Sequence, residues 1–223
     1  MGRPFGGFLS VSDRYIVITD DKRPPEPVRQ SARIYFITHP EVTIDRMIPM
    51  TEWDLSAIGR QRLEVLVTQP WMTTIDAIFA STERKARTTA ERIATVRNLP
   101  VICLADLGEK DRSSTGFLEP NAYRQLRDAF FAHPTKSIQG WERAVDAQAR
   151  IIHAIEHTIA QTSPSANVAV VSHGGVGALV LNHLQQTGIR KDDLPPSQGY
   201  YFVFTKDTCK LIQYWKPIDS IDE

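Results

Sequence analysis

His39 and His173 each stand where a hydrophobic run gives out: Arg33–Thr38 leads into the first, and Val168-Ala169-Val170-Val171-Ser172 into the second, with Gly174 and Gly175 following. Short apolar runs of this composition, each followed by a helical pattern, read as parallel strands of an open α/β sheet. Ligands of such sheets bind outside the carboxyl ends of the strands, so both imidazoles are expected in one crevice. Two further strand ends carry polar residues, over 81–87 and 109–116. Two histidines, a carboxylate (Glu109) and a basic loop (Arg84, Lys85, Arg87) together suit phosphoryl transfer through a histidine. A neutral imidazole nitrogen can attack phosphorus and hold the group covalently, while the second histidine bonds a phosphoryl oxygen and a carboxylic acid protonates the leaving oxygen. That scheme needs no metal or other cofactor. A zinc site from His39, His173 and Glu109 is the chemical competitor, without a short ligand spacing to support it.

The basic loop has its own physical signature. Arg84 and Lys85 are expected in the first turn of a helix over 83–96, where cations oppose the helix dipole by about 0.3–1 kcal/mol each. An anion bound at that helix end reverses the sign. The plain alternative is a solvated face on which Glu83 pairs with Arg87 one turn later.

The elements that position these residues follow from the switching apolar period. Strands are expected at Arg33–Thr38, 77–80, Val101–Leu104 and 168–172, with helices over 56–67 (capped by Ser56 and carrying Ile58, Leu63, Leu66 and Val67), 121–132, 141–161 and 176–186. A terminal antiparallel pair, 200–206 and 210–215, turns at Asp207-Thr208. The stripe Ala144, Val145, Ile151, Ile152, Ile155 and Ile159 faces a core. Phe117, Leu118, Tyr123, Phe130 and Phe131 either pack ordinarily or roof the crevice. His133, His153, His157 and His183 belong to helices or their ends and are expected to be structural or solvent-facing. The fold class is therefore α/β: a three-layer domain with a mostly parallel sheet and helices on both faces.

Residues 1–32 differ from the rest, with early glycines, a possible strand over 15–19, and Pro24, Pro25 and Pro27 ahead of the first strong strand. They read as an amino-terminal extension and linker, leaving 33–223 as the domain. Lys and Arg number 26 and Asp and Glu 26, so the balance points to neither nucleic acid nor an anionic membrane as partner. Cys103 and Cys209 lack metal or redox spacing and are expected as buried thiols in strands. With no long apolar stretch and no signal-like amino end, a cytoplasmic location is the expectation.

The motifs resemble those of the histidine phosphatase superfamily, the phosphoglycerate mutase-like fold, from Arg33 to about Trp215. Thr38-His39-Pro40 stands where that family has Arg-His-Gly. Ser81-Thr82-Glu83-Arg84-Lys85-Ala86-Arg87-Thr88-Thr89-Ala90 matches its Ser-rich turn leading into Arg-Ala-x-x-Thr-Ala, Leu107-Gly108-Glu109 its Leu-x-Glu, and Ser172-His173-Gly174-Gly175 its Ser-His-Gly-Gly. The resemblance implies His39 as nucleophile, Glu109 as proton donor and His173 as second phosphate-pocket histidine. Thr38, Arg84, Lys85 and Gly174 become the expected phosphate-binding set, and Arg112, Ser113 and Ser114 a substrate-facing loop.

Thr38 and Lys85 stand where the family has phosphate-gripping arginines. Lysine keeps charge without the planar fork and threonine offers a hydroxyl alone, so Arg84 is the expected substitute. Pro40 replaces a glycine and removes one backbone N–H. The implied activity is metal-independent hydrolysis of a phosphorylated small molecule or phosphoprotein through phosphohistidine, with oligomerisation open. The alternative is a weak or inactive relative that binds an anionic ligand or a partner protein.

Overall fold

The computed structural model describes residues 31–220, and these fall in one unit beginning at Ser31. The expected extension and linker at 1–32, with its possible strand over 15–19, lies outside the described residues apart from its last two positions. Among the described residues six strands form one sheet: β1 (Arg33–Thr38), β2 (Ile75–Ser81), β3 (Val101–Leu104), β4 (Asn167–Ser172), β5 (Tyr200–Thr205) and β6 (Leu211–Pro217), in the order β3-β2-β4-β1-β5-β6. The four strands from β3 to β1 are parallel, and β5 and β6 complete the sheet antiparallel.

Side chains alternate across each strand, so a strand buried on both faces reads as a continuous apolar run. Ile34 and Phe36 join Phe79, Val168, Val170, Phe202 and Phe204 on one face, under helices α3 (Pro120–Ala132), α4 (Ala144–Ala160) and α5 (Gly174–Leu184). Tyr35 and Ile37 join Ile78, Ala169, Val171 and Val203 on the other, under α1 (Ala57–Leu66) and α2 (Arg84–Arg97). The result is a three-layer α/β fold.

Local signals explain the ends of these helices. The Ser56 hydroxyl accepts the Gly59 N–H at 3.1 Å, as an N-cap should. Asn98 closes α2 in the left-handed region at φ 52°. No helix among the described residues is long and apolar enough to cross a membrane.

Several expectations need correction. Ile58 is 62% exposed, on the outer side of α1 rather than in its core stripe. Both cysteines are exposed: Cys103 lies on β3, the sheet's edge, and Cys209 sits in the turn before β6 at φ 52°. Helix α4 starts at Ala144, three residues later than the pattern suggests, with Arg143 extended at its N-cap and Trp141 buried in the loop ahead of it. Of the aromatic segment, Phe130 and Phe131 are core residues, whereas Phe117 lies against Trp53 and under Arg46.

Candidate functional site

Register assembles the site. Thr38 pairs with Ser172 in the parallel β1–β4 ladder, so the next residue on each chain, His39 and His173, leaves the sheet at the same level. The His39 N–H still donates to the Ser172 carbonyl at 3.2 Å, and the two rings meet edge to face with centroids 5.2 Å apart. Strand β2 ends alongside β4 at Ser81, delivering Ser81 and Glu83 to the same edge. The turn after β3, 105–107, brings Glu109 there.

His39 is 7% exposed, and its Nδ1 lies 2.9 Å from the Pro40 carbonyl oxygen. A carbonyl only accepts, so Nδ1 carries the proton and Nε2 keeps its lone pair. Burial, aided by His173 and Lys85, lowers the pKa of His39 to about 3 against the pull of the Pro40 carbonyl. At neutral pH the ring is an uncharged base, as a nucleophile at phosphorus must be.

His173 is 1% exposed. Its Nε2 lies 2.9 Å from Ser81 Oγ and 3.3 Å from Glu83 Oε1, while the buried Nδ1 has no hydrogen-bond partner. Burial holds this ring below the usual histidine range despite Glu83. Lys85 is also buried; its Nζ donates to the Met50 carbonyl at 2.9 Å and pairs closely with Glu83 Oε2. Glu83 Oε1 accepts the Glu109 N–H at 2.9 Å. Burial raises the pKa of Glu83, but His173, Lys85 and these hydrogen bonds outweigh it and hold the carboxyl at about 2. The expected surface pair of Glu83 with Arg87 is not what the carboxylate makes.

Glu109 is built differently. Its Oε2 accepts the Gly175 N–H at 3.0 Å, and its Oε1 accepts the Val176 N–H at 3.1 Å and the Lys110 N–H at 3.0 Å. The carboxylate thus closes the amino end of α5, where N–H groups lack intrahelical partners and the dipole favours an anion. Lys110 Nζ is buried 3.5 Å from Oε1, within 5.8, 5.5 and 6.0 Å of the Tyr123, Phe130 and Trp141 ring centres. Although burial opposes ionisation, Lys110, His173 and the backbone donors hold Glu109 well below the usual carboxylate range. In every one of these contacts the Glu109 carboxylate accepts.

Two supporting features escaped the sequence reading. Arg150 on α4 donates to the carbonyls of Asp106 (2.8 Å), Gly108 (3.0 Å) and Glu109 (3.3 Å) and pairs with Glu142, which fixes the loop carrying Glu109. A Cβ on Gly175 would lie 2.5 Å from Glu109 Oε1 and 2.6 Å from Lys110 Nζ, so the glycine is what lets that pair reach the helix end.

The other expected residues divide. Lys85 joins the pocket. Gly174 opens α5 ahead of the two N–H groups that Glu109 binds. The Thr38 hydroxyl is engaged within the sheet: it donates to the Tyr200 carbonyl at 3.0 Å and accepts the Tyr200 N–H at 2.9 Å, stitching β1 to β5. Arg84 is half exposed and turns to Asp54 at 3.4 Å. Arg112 lies over the Tyr123 ring at 4.8 Å, Ser113 is exposed, and the Ser114 hydroxyl donates to the Gln139 carbonyl at 2.8 Å. Among the described residues no group of three or more His, Cys, Asp or Glu side chains is arranged to hold a metal ion.

The fold is shared with several solved structures. Mycobacterial glucosyl-3-phosphoglycerate phosphatase, solved with inorganic phosphate, superposes with a TM-score of 0.67 at 18% identity, covering 85% of this chain and 100% of that one. Bacillus stearothermophilus YhfR gives 0.70 at 21% identity (86% and 98% covered), and mycobacterial hydrolase 2 gives 0.68 at 18% (86% and 93%). A search of curated proteins by sequence gave no significant match. The family model for the histidine phosphatase superfamily (branch 1) matches residues 34–209 and so takes in both histidines, Glu83 and Lys85. By that match, over most of its length, the chain belongs to the histidine phosphatase superfamily.

Proposed function

We propose that the protein is a metal-independent phosphomonoester hydrolase that works through phospho-His39 on a phosphorylated small molecule. The observation that carries this reading is the fixed tautomer of His39: with Nδ1 bound to the Pro40 carbonyl and the ring uncharged, Nε2 offers a lone pair beside His173 and Lys85. In the first step a bond forms from Nε2 to phosphorus as the P–O ester bond breaks, and the ester oxygen leaves with the proton that a monoanionic phosphoryl group brings. In the second, water attacks phosphorus, the N–P bond breaks, and phosphate departs with neutral His39 restored. Lys85 and His173, which both contact Glu83, are the groups positioned to meet phosphoryl oxygens. Glu109 contributes by holding the start of α5 in place, not by donating the proton. The substrate class accords with the mycobacterial relative, whose name makes it a phosphatase of a phosphorylated sugar-acid.

A second reading, an anion-binding relative with little turnover, draws on Thr38, whose hydroxyl is committed to Tyr200. One experiment separates the two. Hydrolysis of a panel of phosphomonoesters across pH 5 to about 8 should fall by at least about 10³-fold in His39→Ala, as loss of a covalent nucleophile requires. Turnover absent from wild type, or equal in both proteins, removes His39 from catalysis and leaves the binding reading.

A further inference from the structure

Glu83 places a carboxylate in contact with two groups that a phosphoryl dianion would use. Its Oε2 pairs with Lys85 Nζ, and its Oε1 lies 3.3 Å from His173 Nε2 while accepting the Glu109 N–H at 2.9 Å. Ammonium, imidazole and backbone N–H together form an anion site, and it is already filled by the chain's own carboxylate. We propose that Glu83 is an internal competitor for the phosphate pocket, so that a dianionic ligand enters only by displacing this carboxylate or by bringing a proton to it. The inference deepens the proposed function and rests on the same pocket.

The charges that face Glu83 come from every element around it: Lys85 on α2, His173 at the start of α5, His39 at the end of β1, and Glu109 with Lys110 after β3. Of the other cations in the first turn of α2, Arg84 turns away to Asp54 and Arg87 is exposed. Lys110 is turned to Glu109 and its aromatic cage. A dianion entering beside Glu83 would therefore share Lys85 with a like charge, which favours the carboxyl's neutral form. Such a pocket prefers phosphoryl groups that arrive as monoanions and works better in acid.

Sulfate tests this, because it is a tetrahedral dianion that does not titrate between pH 5 and 7. Its affinity for wild type, Glu83→Gln, Glu83→Ala and Glu83→Asp would be measured by calorimetry at fixed ionic strength, with a thermal melt confirming that each variant is folded. Glutamine keeps an acceptor for the Glu109 N–H and removes only the charge. The expected result is about tenfold tighter binding by Glu83→Gln and Glu83→Ala at pH 7, with the advantage shrinking towards pH 5 and none in Glu83→Asp. Equal or weaker binding by both neutral variants would overturn the inference and make Glu83 a positioning residue for Lys85. Should no protein bind sulfate while His39-dependent hydrolysis persists, the competitor idea alone fails. Should that hydrolysis be missing as well, the proposed function fails with it.

Discussion

Two acidic residues are joined by one hydrogen bond, from the Glu109 N–H to Glu83 Oε1, and their carboxylates are held by opposite means. Glu109 is bound mainly by backbone N–H groups at the start of α5, with Lys110 caged behind it. Glu83 is bound mainly by side chains, Lys85 and His173. Backbone donors in a helix cannot turn away, whereas an ammonium and an imidazole can exchange one anion for another. Two acids in one pocket therefore take two roles: one fixes the frame, and the other is replaceable.

The most damaging way to probe that contrast is Glu109→Gln. It leaves Lys110 as a buried charge without its counter-ion, for which a loss of about 3 kcal/mol is expected, or roughly 8 °C in melting temperature for a chain of this size. Glu83→Gln should lose less than half as much, since Lys85 keeps the Met50 carbonyl. The pH dependence gives the sign. Because folding depresses Glu109 below its ordinary value of 4.5, its contribution is complete above that pH and is lost as pH falls through the folded value. Melts from pH 7 downward should thus bring wild type and Glu109→Gln together. Equal losses from the two glutamine variants would break the contrast.

A smaller effect is expected from Thr38→Val, which strips the hydroxyl from the Tyr200 N–H and carbonyl. A destabilisation of about 1–2 kcal/mol, with sulfate affinity unchanged, would place Thr38 with the backbone-held frame. Weaker anion binding would return it to the pocket. The smallest effect belongs to Arg84→Ala, whose turnover should stay within about twofold of wild type, because the half-exposed Arg84–Asp54 pair is screened by solvent. A larger drop in kcat/KM would bring Arg84 into substrate binding after all.

Much of this was open to reading in the chain itself. Continuous apolar runs marked the parallel strands because both faces of the sheet are covered, and the polar residues at their ends marked the crevice. The cations in the first turn of α2 were a true anomaly, and Lys85 does sit beside an anion. What the sequence could not show is that the anion is Glu83, which at the helix boundary looks like a surface partner for Arg87. Its inward turn depends on His173, 90 residues away along the chain. Lys110 was hidden for a similar reason: a lysine in a polar loop reads as solvated until Tyr123, Phe130 and Trp141 are seen to close around it. Cys103 was misjudged because its strand pattern says nothing about which strand becomes the edge.

The reciprocal bonds between Thr38 and Tyr200 also limit the paths by which this sequence can change. An arginine placed at position 38 would deprive the Tyr200 N–H and carbonyl of the hydroxyl that satisfies both, and would press a long charged side chain into a site that is 1% exposed. A gain at the pocket would be offset by a loss between β1 and β5 unless β5 changed in the same step. Thr38 is thus held in place by the sheet, as a ratchet that a single substitution does not reverse.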